Sequence, residues 1–412
     1  MRRRLFSWTA VSSAKAPSPR RGEGWGEGAR PPRKISGAEH PHPTLSLQGE
    51  GFQAATKKTR CRLISRSRTM RLRPSVPLPL ALALAGCGGI QTIGGREGRD
   101  AALINDLFTL FCIVTGIFFA AIMAFLFAAY WRRRGWRADR MPEEDVALEA
   151  PSRERFLKVG LFLWTGAVIG GLMGLAIASF FTDRGLAHPN GDNKPVVSIE
   201  LTGNQWWWDA KYHFHDPSRD FRTANELHIP LGAATYILLK ANDVIHSFWV
   251  PNLAGKQDLI PGHTNDIVLV PTKPGHYRGQ CAEYCGLQHA HMALDIVVDT
   301  PADYQRWVAR QQQTAQAPAD PQAKAGYVYF MNKQCSACHT VAGTPAGGQV
   351  APDLTHVASR ATIAAGTLPN TPGSLHAWVA DPQGVKPGNN MPYIGLNADE
   401  LHAVVAYLET LK

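Results

Sequence analysis

The sequence predicts a multidomain membrane protein: a two-helix transmembrane hairpin, then a β-sandwich or barrel, then an all-α unit. Three observations predict it. Residues 107–131 and 159–182 are uncharged runs of 25 and 24 residues, longer than the roughly 20 that cross a bilayer as a helix. Short runs rich in branched and aromatic residues follow, with partial alternation and Gly, Pro or Asn between them. The final stretch opens and closes on helix-favouring sequence, with "CSACH" near its start.

The N-terminal part carries the basic excess. Residues 1–69 hold 15 Lys+Arg against 4 Asp+Glu, whereas 87–412 holds 26 against 29. The formal charge of +10 is therefore local, and the body of the chain gives no reason to expect nucleic-acid binding. Residues 1–69 are rich in Arg, Gly and Pro without apolar periodicity, which reads as a disordered or spurious leader. Residues 70–86, starting at Met70, resemble a bacterial lipoprotein signal peptide, with Leu84, Ala85, Gly86 and Cys87 as the lipobox. That resemblance implies a lipidated Cys87.

Residues 87–190 form the hairpin region, with helices expected over about 103–131 and 156–182. Between them "RRRGWRADR" places Arg132, Arg133, Arg134, Arg137 and Arg140 in one loop, which the positive-inside rule assigns to the cytoplasm. Both flanking ends then face outward, toward the periplasm.

Residues 191–314 contain "VVSIELTG", "WWDAKYHF", "ELHIPL", "TYILLKA", "DIVLVP" and "ALDIVVD", a series suited to an antiparallel sandwich or barrel. A helical "PADYQRWVARQQQ" follows. Residues 315–322 are poor in apolar side chains and read as a linker to 323–412.

Of seven cysteines, Cys61 lies in the leader, Cys87 in the lipobox and Cys112 in an apolar helix; Cys281, Cys285, Cys335 and Cys338 form two close pairs. The first pair belongs to "QCAEYCGLQHAHM" (280–292), with His246 on another β segment. A disulfide, zinc and copper are all open for this cluster. Zinc gains nothing from the thioether of Met292, whereas thiolate, imidazole and thioether together suit copper electron transfer, and two thiolates can bridge two copper ions.

"CAEYCGLQHAHM", "NDVIHSFWVP" and "GNQWWWDAKY" resemble subunit II of haem-copper cytochrome c oxidase over about residues 100–312. The resemblance implies a cupredoxin-like sandwich carrying the dinuclear copper centre CuA. It implies that Cys281 and Cys285 bridge the coppers, that His246 and His289 are terminal ligands, and that Met292 and the Glu283 carbonyl bind axially. It also implies a magnesium ion at the subunit I interface through the Glu283 carboxylate, and it makes Trp206 the point where electrons enter. The family usually has Tyr where Trp207 stands. His291 is read as a non-ligand.

"CSACH" is a C-x-x-C-H haem-attachment motif, with Cys335 and Cys338 for the vinyl thioethers and His339 for the iron. Met391, the only methionine after the motif, is the expected sixth ligand; His356, His376 and His402 are the alternatives. This unit resembles class I cytochromes c, which implies an all-α cytochrome c domain with Pro352 supporting His339 through its carbonyl.

Together these features resemble the fused subunit II of caa3-type oxidases. The resemblance implies a bacterial inner-membrane, multi-pass chain with its copper and haem domains on the periplasmic side. Its implied partners are subunits I and III, with a soluble cytochrome c or the bc1 complex as electron donor. It implies cytochrome-c oxidase activity in the complex, with oxygen reduction and proton translocation belonging to subunit I. A nitrous or nitric oxide reductase-like carrier and a copper-delivery protein are the competing classes. Each leaves part of the hairpin, copper cluster and haem motif without a role.

Overall fold

The computed structural model describes residues 88–134, 151–187 and 196–412. The predicted leader, signal segment, Cys61, Cys87, Arg137 and Arg140 lie outside the described residues.

Helices α1 (Arg99–Arg134) and α2 (Pro151–Leu186) are each 36 residues long. They run past the expected 103–131 and 156–182 because the polar flanks, such as "RDAA" and "WRRR", continue the helical backbone beyond the apolar core. Their mean hydropathies reach 2.7 and 2.0, and their apolar side chains are not buried by the rest of the chain. Phe125 and Phe162 are 72% and 77% exposed. Surface this apolar needs a non-aqueous cover, so the pair suggests membrane anchoring. Phe118 meets Trp164 edge-on at 5.4 Å between them.

Ten strands follow: β1 (Val197–Asn204), β2 (Trp207–His213), β3 (Phe221–Ala224), β4 (Glu226–Pro230), β5 (Thr235–Ala241), β6 (His246–Trp249), β7 (Gln257–Leu259), β8 (Asn265–Leu269), β9 (Gly275–Cys281) and β10 (Ala293–Asp299). They make two five-stranded sheets, ordered β3-β2-β1-β5-β8 and β4-β10-β9-β6-β7. Pairing is antiparallel except between β1 and β5 and between β4 and β10. The inward side chains alternate as a half-buried strand requires: Trp208, Ala210 and Tyr212 on β2, and Thr235, Ile237 and Leu239 on β5, are buried. With Ile199, Leu201, Leu227, Ile229 and Phe248 they fill the space between the sheets.

Helix α3 (Pro301–Gln311) starts at Thr300, whose hydroxyl caps the Asp303 amide. It buries Tyr304, Trp307 and Val308 against the sandwich. The Trp307 ring stacks on His228 at 4.2 Å and meets Tyr212 at 5.2 Å.

The C-terminal unit contains α4 (Pro321–Asn332), α5 (Cys335–Cys338), α6 (Pro372–Ala380), α7 (Pro382–Val385) and α8 (Ala398–Leu408), plus a short hairpin of β11 (Thr362–Ile363) and β12 (Leu368–Pro369). Asn397 and Glu400 form a reciprocal capping box at the start of α8. Phe330 and Tyr327 pack edge-on against Tyr407, joining α4 to α8 in a core that includes Val341, Leu375 and Val404.

This unit lies directly on the sandwich. The Ala361 amide donates to Glu226 Oε2 at 3.0 Å, the Ala293 amide to the Ala365 carbonyl at 3.0 Å, and the Thr362 hydroxyl to Asp295 Oδ2 at 2.5 Å.

Candidate metal centre and haem cavity

Strand pairing assembles the first site. Phe248 on β6 pairs with Cys281 at the end of β9, and His246, two residues along β6, projects on the same inward face. The chain then loops through Cys285, makes a single 3-10 turn at His289–His291 and enters β10 after Met292. The Cys281 amide closes this loop on the Met292 carbonyl at 3.0 Å.

The donors converge. Cys281 Sγ and Cys285 Sγ are 3.7 Å apart, well beyond a disulfide bond of about 2.0 Å, and both thiols are free and buried. His246 Nδ1 lies 3.9 Å from Cys281 Sγ, and His289 Nδ1 3.6 Å from Cys285 Sγ. Met292 Sδ is 3.9 Å from Cys285 Sγ, and the Glu283 carbonyl 3.2 Å from Cys281 Sγ. The other four predicted copper-site residues, His246, Glu283, His289 and Met292, thus surround the two cysteine sulfurs. The ligand atoms of His246, Cys281 and Cys285 lie within 4.8 Å of one another.

This donor set fits a soft metal pair. The hydrogen bond between the thiols holds Cys281 well below the usual thiol range and pushes Cys285 above it, so the pair favours one negative charge. Adding metal cations is what lets both sulfurs ionise. His246 Nε2 is 2.8 Å from Asp243 Oδ1. A proton held on that side turns the Nδ1 lone pair toward the sulfurs, the usual outer-shell device of metal-binding histidines. Gly203 on β1 makes room: a Cβ there would lie 2.7 Å from His246 Cδ2.

The second site is a cavity of about 410 Å³ in the C-terminal unit. Cys335, Cys338, His339 and Met391 all line it, whereas His356, His376 and His402 do not. His339 Nδ1 is 2.7 Å from the Pro352 carbonyl, which leaves Nε2 as the nitrogen available to a metal; burial lowers the His339 pKa, favouring the neutral imidazole. Arg360 is also on the wall, and its Nε is buried without a hydrogen-bond partner among the described residues. An anionic group entering the cavity, such as a haem carboxylate, would satisfy it. The walls therefore fit a covalently held haem.

One wall is borrowed. Gln205, Trp206, Trp207 and Asn225 come from the sandwich, and the Trp206 indole donates to the Cys285 carbonyl at 2.9 Å. Trp206 thus touches both sites. His291 stays outside the donor cluster: it is exposed, its Nδ1 is 2.8 Å from Gln288 Oε1, and its carbonyl accepts from Lys386 Nζ at 2.7 Å.

Several contributors escaped the sequence reading. Asp243 had a signal, standing three residues before His246 in "NDVIHSFW". Gly203, Arg360 and Lys386 had none, since each acts across a contact between distant segments.

The family described as cytochrome C oxidase subunit II, periplasmic domain, matches residues 215–300, and the cytochrome c family matches 323–412. The cytochrome c oxidase subunit 2 of Alkalihalophilus pseudofirmus is 34% identical over 328 residues, covering 77% of this chain and 89% of the relative. That of Bacillus sp. strain PS3 is 34% identical over 268 residues, covering 61% and 73%. A crystal structure of the periplasmic domain of subunit II of cytochrome oxidase from Bradyrhizobium japonicum is 29% identical, covering 29% of this chain and 95% of that one, with a TM-score of 0.27. The chain belongs to the cytochrome c oxidase subunit 2 family and carries a cytochrome c domain after its copper-type domain.

Proposed function

We propose that this chain is the subunit of a caa3-type oxidase that receives electrons at its own haem c and hands them through CuA to subunit I, where oxygen is reduced to water with proton translocation. The single observation that carries the reading is Trp206, which walls the haem cavity and hydrogen-bonds the Cys285 carbonyl. Haem and copper, when bound, supply reversible one-electron chemistry at nearly fixed geometry.

The residues divide the work. Cys335 and Cys338 would anchor the haem covalently, His339 would ligate the iron in the orientation set by Pro352, and Met391 would face it. Cys281 and Cys285 would bridge the coppers, with His246, His289, Met292 and the Glu283 carbonyl completing the set. The Glu283 carboxylate would remain for magnesium at subunit I. The hairpin would hold both domains at the periplasmic face of a bacterial inner membrane beside subunits I and III. A soluble cytochrome c or the bc1 complex would be the donor.

The test is spectroscopic. The purified chain should show a c-type α-band on reduction, near-infrared absorption and an EPR signal delocalised over two coppers. A single copper per chain with a one-site EPR pattern would overturn the dinuclear assignment. Met391→Leu should change the iron ligation; an unchanged spectrum would move the sixth ligand elsewhere.

A further inference from the structure

Lys386 lies between α7 and Met391 and is 2% exposed. Its Nζ donates to three backbone carbonyls: Trp206 at 2.8 Å, His291 at 2.7 Å and Ala364 at 3.0 Å. Three acceptors match the three protons of an ammonium, whereas a neutral amine offers two. The carbonyls belong to three separate segments. Trp206 immediately precedes β2, His291 stands between the copper-site residues His289 and Met292, and Ala364 is in the β11–β12 turn of the haem unit.

The surrounding contacts point the same way. Gln288 Nε2 donates to the Pro387 carbonyl at 2.7 Å, and Asn390 Nδ2 to the Gln205 carbonyl at 3.4 Å. A Cβ on Gly388 would stand 3.7 Å from the Trp206 ring. The loop that carries Met391 is therefore laid directly on Trp206, and Lys386 is its buried charged fastening. Burial draws the Lys386 pKa down to about 7, so holding a proton there costs stability that an apolar side chain would not. That cost needs a return in geometry.

We propose that Lys386 is a positioning residue for electron passage between the haem cavity and the copper-ligand cluster. Its ammonium ties the Met391 loop to the Trp206 and His291 carbonyls and fixes where the Trp206 indole sits. The step it serves moves one electron, with no bond made or broken at Lys386. This inference rests on the proposed function of the two sites.

The test uses the full chain loaded with haem and copper. One electron is injected photochemically with a ruthenium reagent, and redistribution from haem to copper is followed optically. K386M should keep both sets of absorption bands yet slow redistribution severalfold, because the Trp206 contact between the two sites loosens. Amide hydrogen exchange of residues 204–208 and 288–292 should accelerate in the same variant. A wild-type redistribution rate in K386M, with or without a lower melting temperature, overturns the proposal. Should K386M not fold, K386Q, which presents two N–H donors in place of three, is measured instead; it should also be slowed, and a wild-type rate is equally decisive against the proposal. Missing haem or copper bands in the wild-type chain would be a failure of the functional reading, separate from this one.

Discussion

The Trp206 indole and the Gln205 side-chain amide both donate to the Cys285 carbonyl, at 2.9 and 2.7 Å. The ring that walls the haem cavity is thereby fixed to a cysteine of the copper-type site. In Trp206→Phe the carbonyl keeps its bond from Gln205, so stability should fall by only about 1 kcal/mol. Electron redistribution should slow severalfold while both cofactor spectra persist, because the contact between the sites shrinks and shifts. Flash-induced kinetics alongside thermal melting check this; equal rates would remove Trp206 from the path.

Asp243 holds His246 from behind and also accepts the backbone amides of Gln205 at 2.6 Å and Val244 at 2.7 Å. Asp243→Ala frees the imidazole and loosens the Trp206 segment. Copper affinity should drop on the order of 10- to 100-fold, read by competition with a copper chelator.

Gly203→Ala tests the space behind the same ring. The added methyl would press on His246 Cδ2 from a strand held on both sides by β2 and β5, so the imidazole must yield. We expect a stability loss of about 1–3 kcal/mol and an altered near-infrared and EPR signature. Unchanged copper spectra would show that the ring accommodates the methyl without moving its donor atom.

His228 supplies a pH dependence away from the metal-type sites. Burial opposes its charge, but Asp299 at 2.6 Å and Glu226 at 3.4 Å outweigh burial and raise its pKa above the ordinary imidazole value. The folded value exceeds the unfolded one, so the stabilisation is complete below about pH 6.5 and is lost as pH rises through the folded pKa. Melting temperature should therefore decline across that interval. His228→Gln should flatten the decline and cost about 3 kcal/mol at pH 6 by leaving buried carboxylates uncompensated.

What could be read from the sequence was whatever repeats locally or clusters within a short window. Two uncharged runs declare α1 and α2 by length, alternation declares β2 and β5, and the Cys281–Met292 spacing gathers soft donors within twelve positions. The helix ends were less legible, because charged flanks such as Arg99 and Asp100 continue a helix as readily as they end one. The joint between the two domains left no local trace. Lys386 meets carbonyls 180 and 95 residues away in the chain, and backbone carbonyls have no sequence signature. His291 shows the same limit: its side chain stands outside the donor cluster, and its structural role lies in its peptide oxygen.

Residues 312–320 join α3 to α4, with the Ala315 amide on the Ala342 carbonyl at 2.9 Å and the Gln313 carbonyl 3.1 Å from His356 Nε2. So short a tether gives an effective local concentration at least on the order of millimolar. A free carrier's hold on its acceptor weakens with dilution and salt; on the proposed reading this haem unit would travel with its acceptor in a fixed one-to-one ratio.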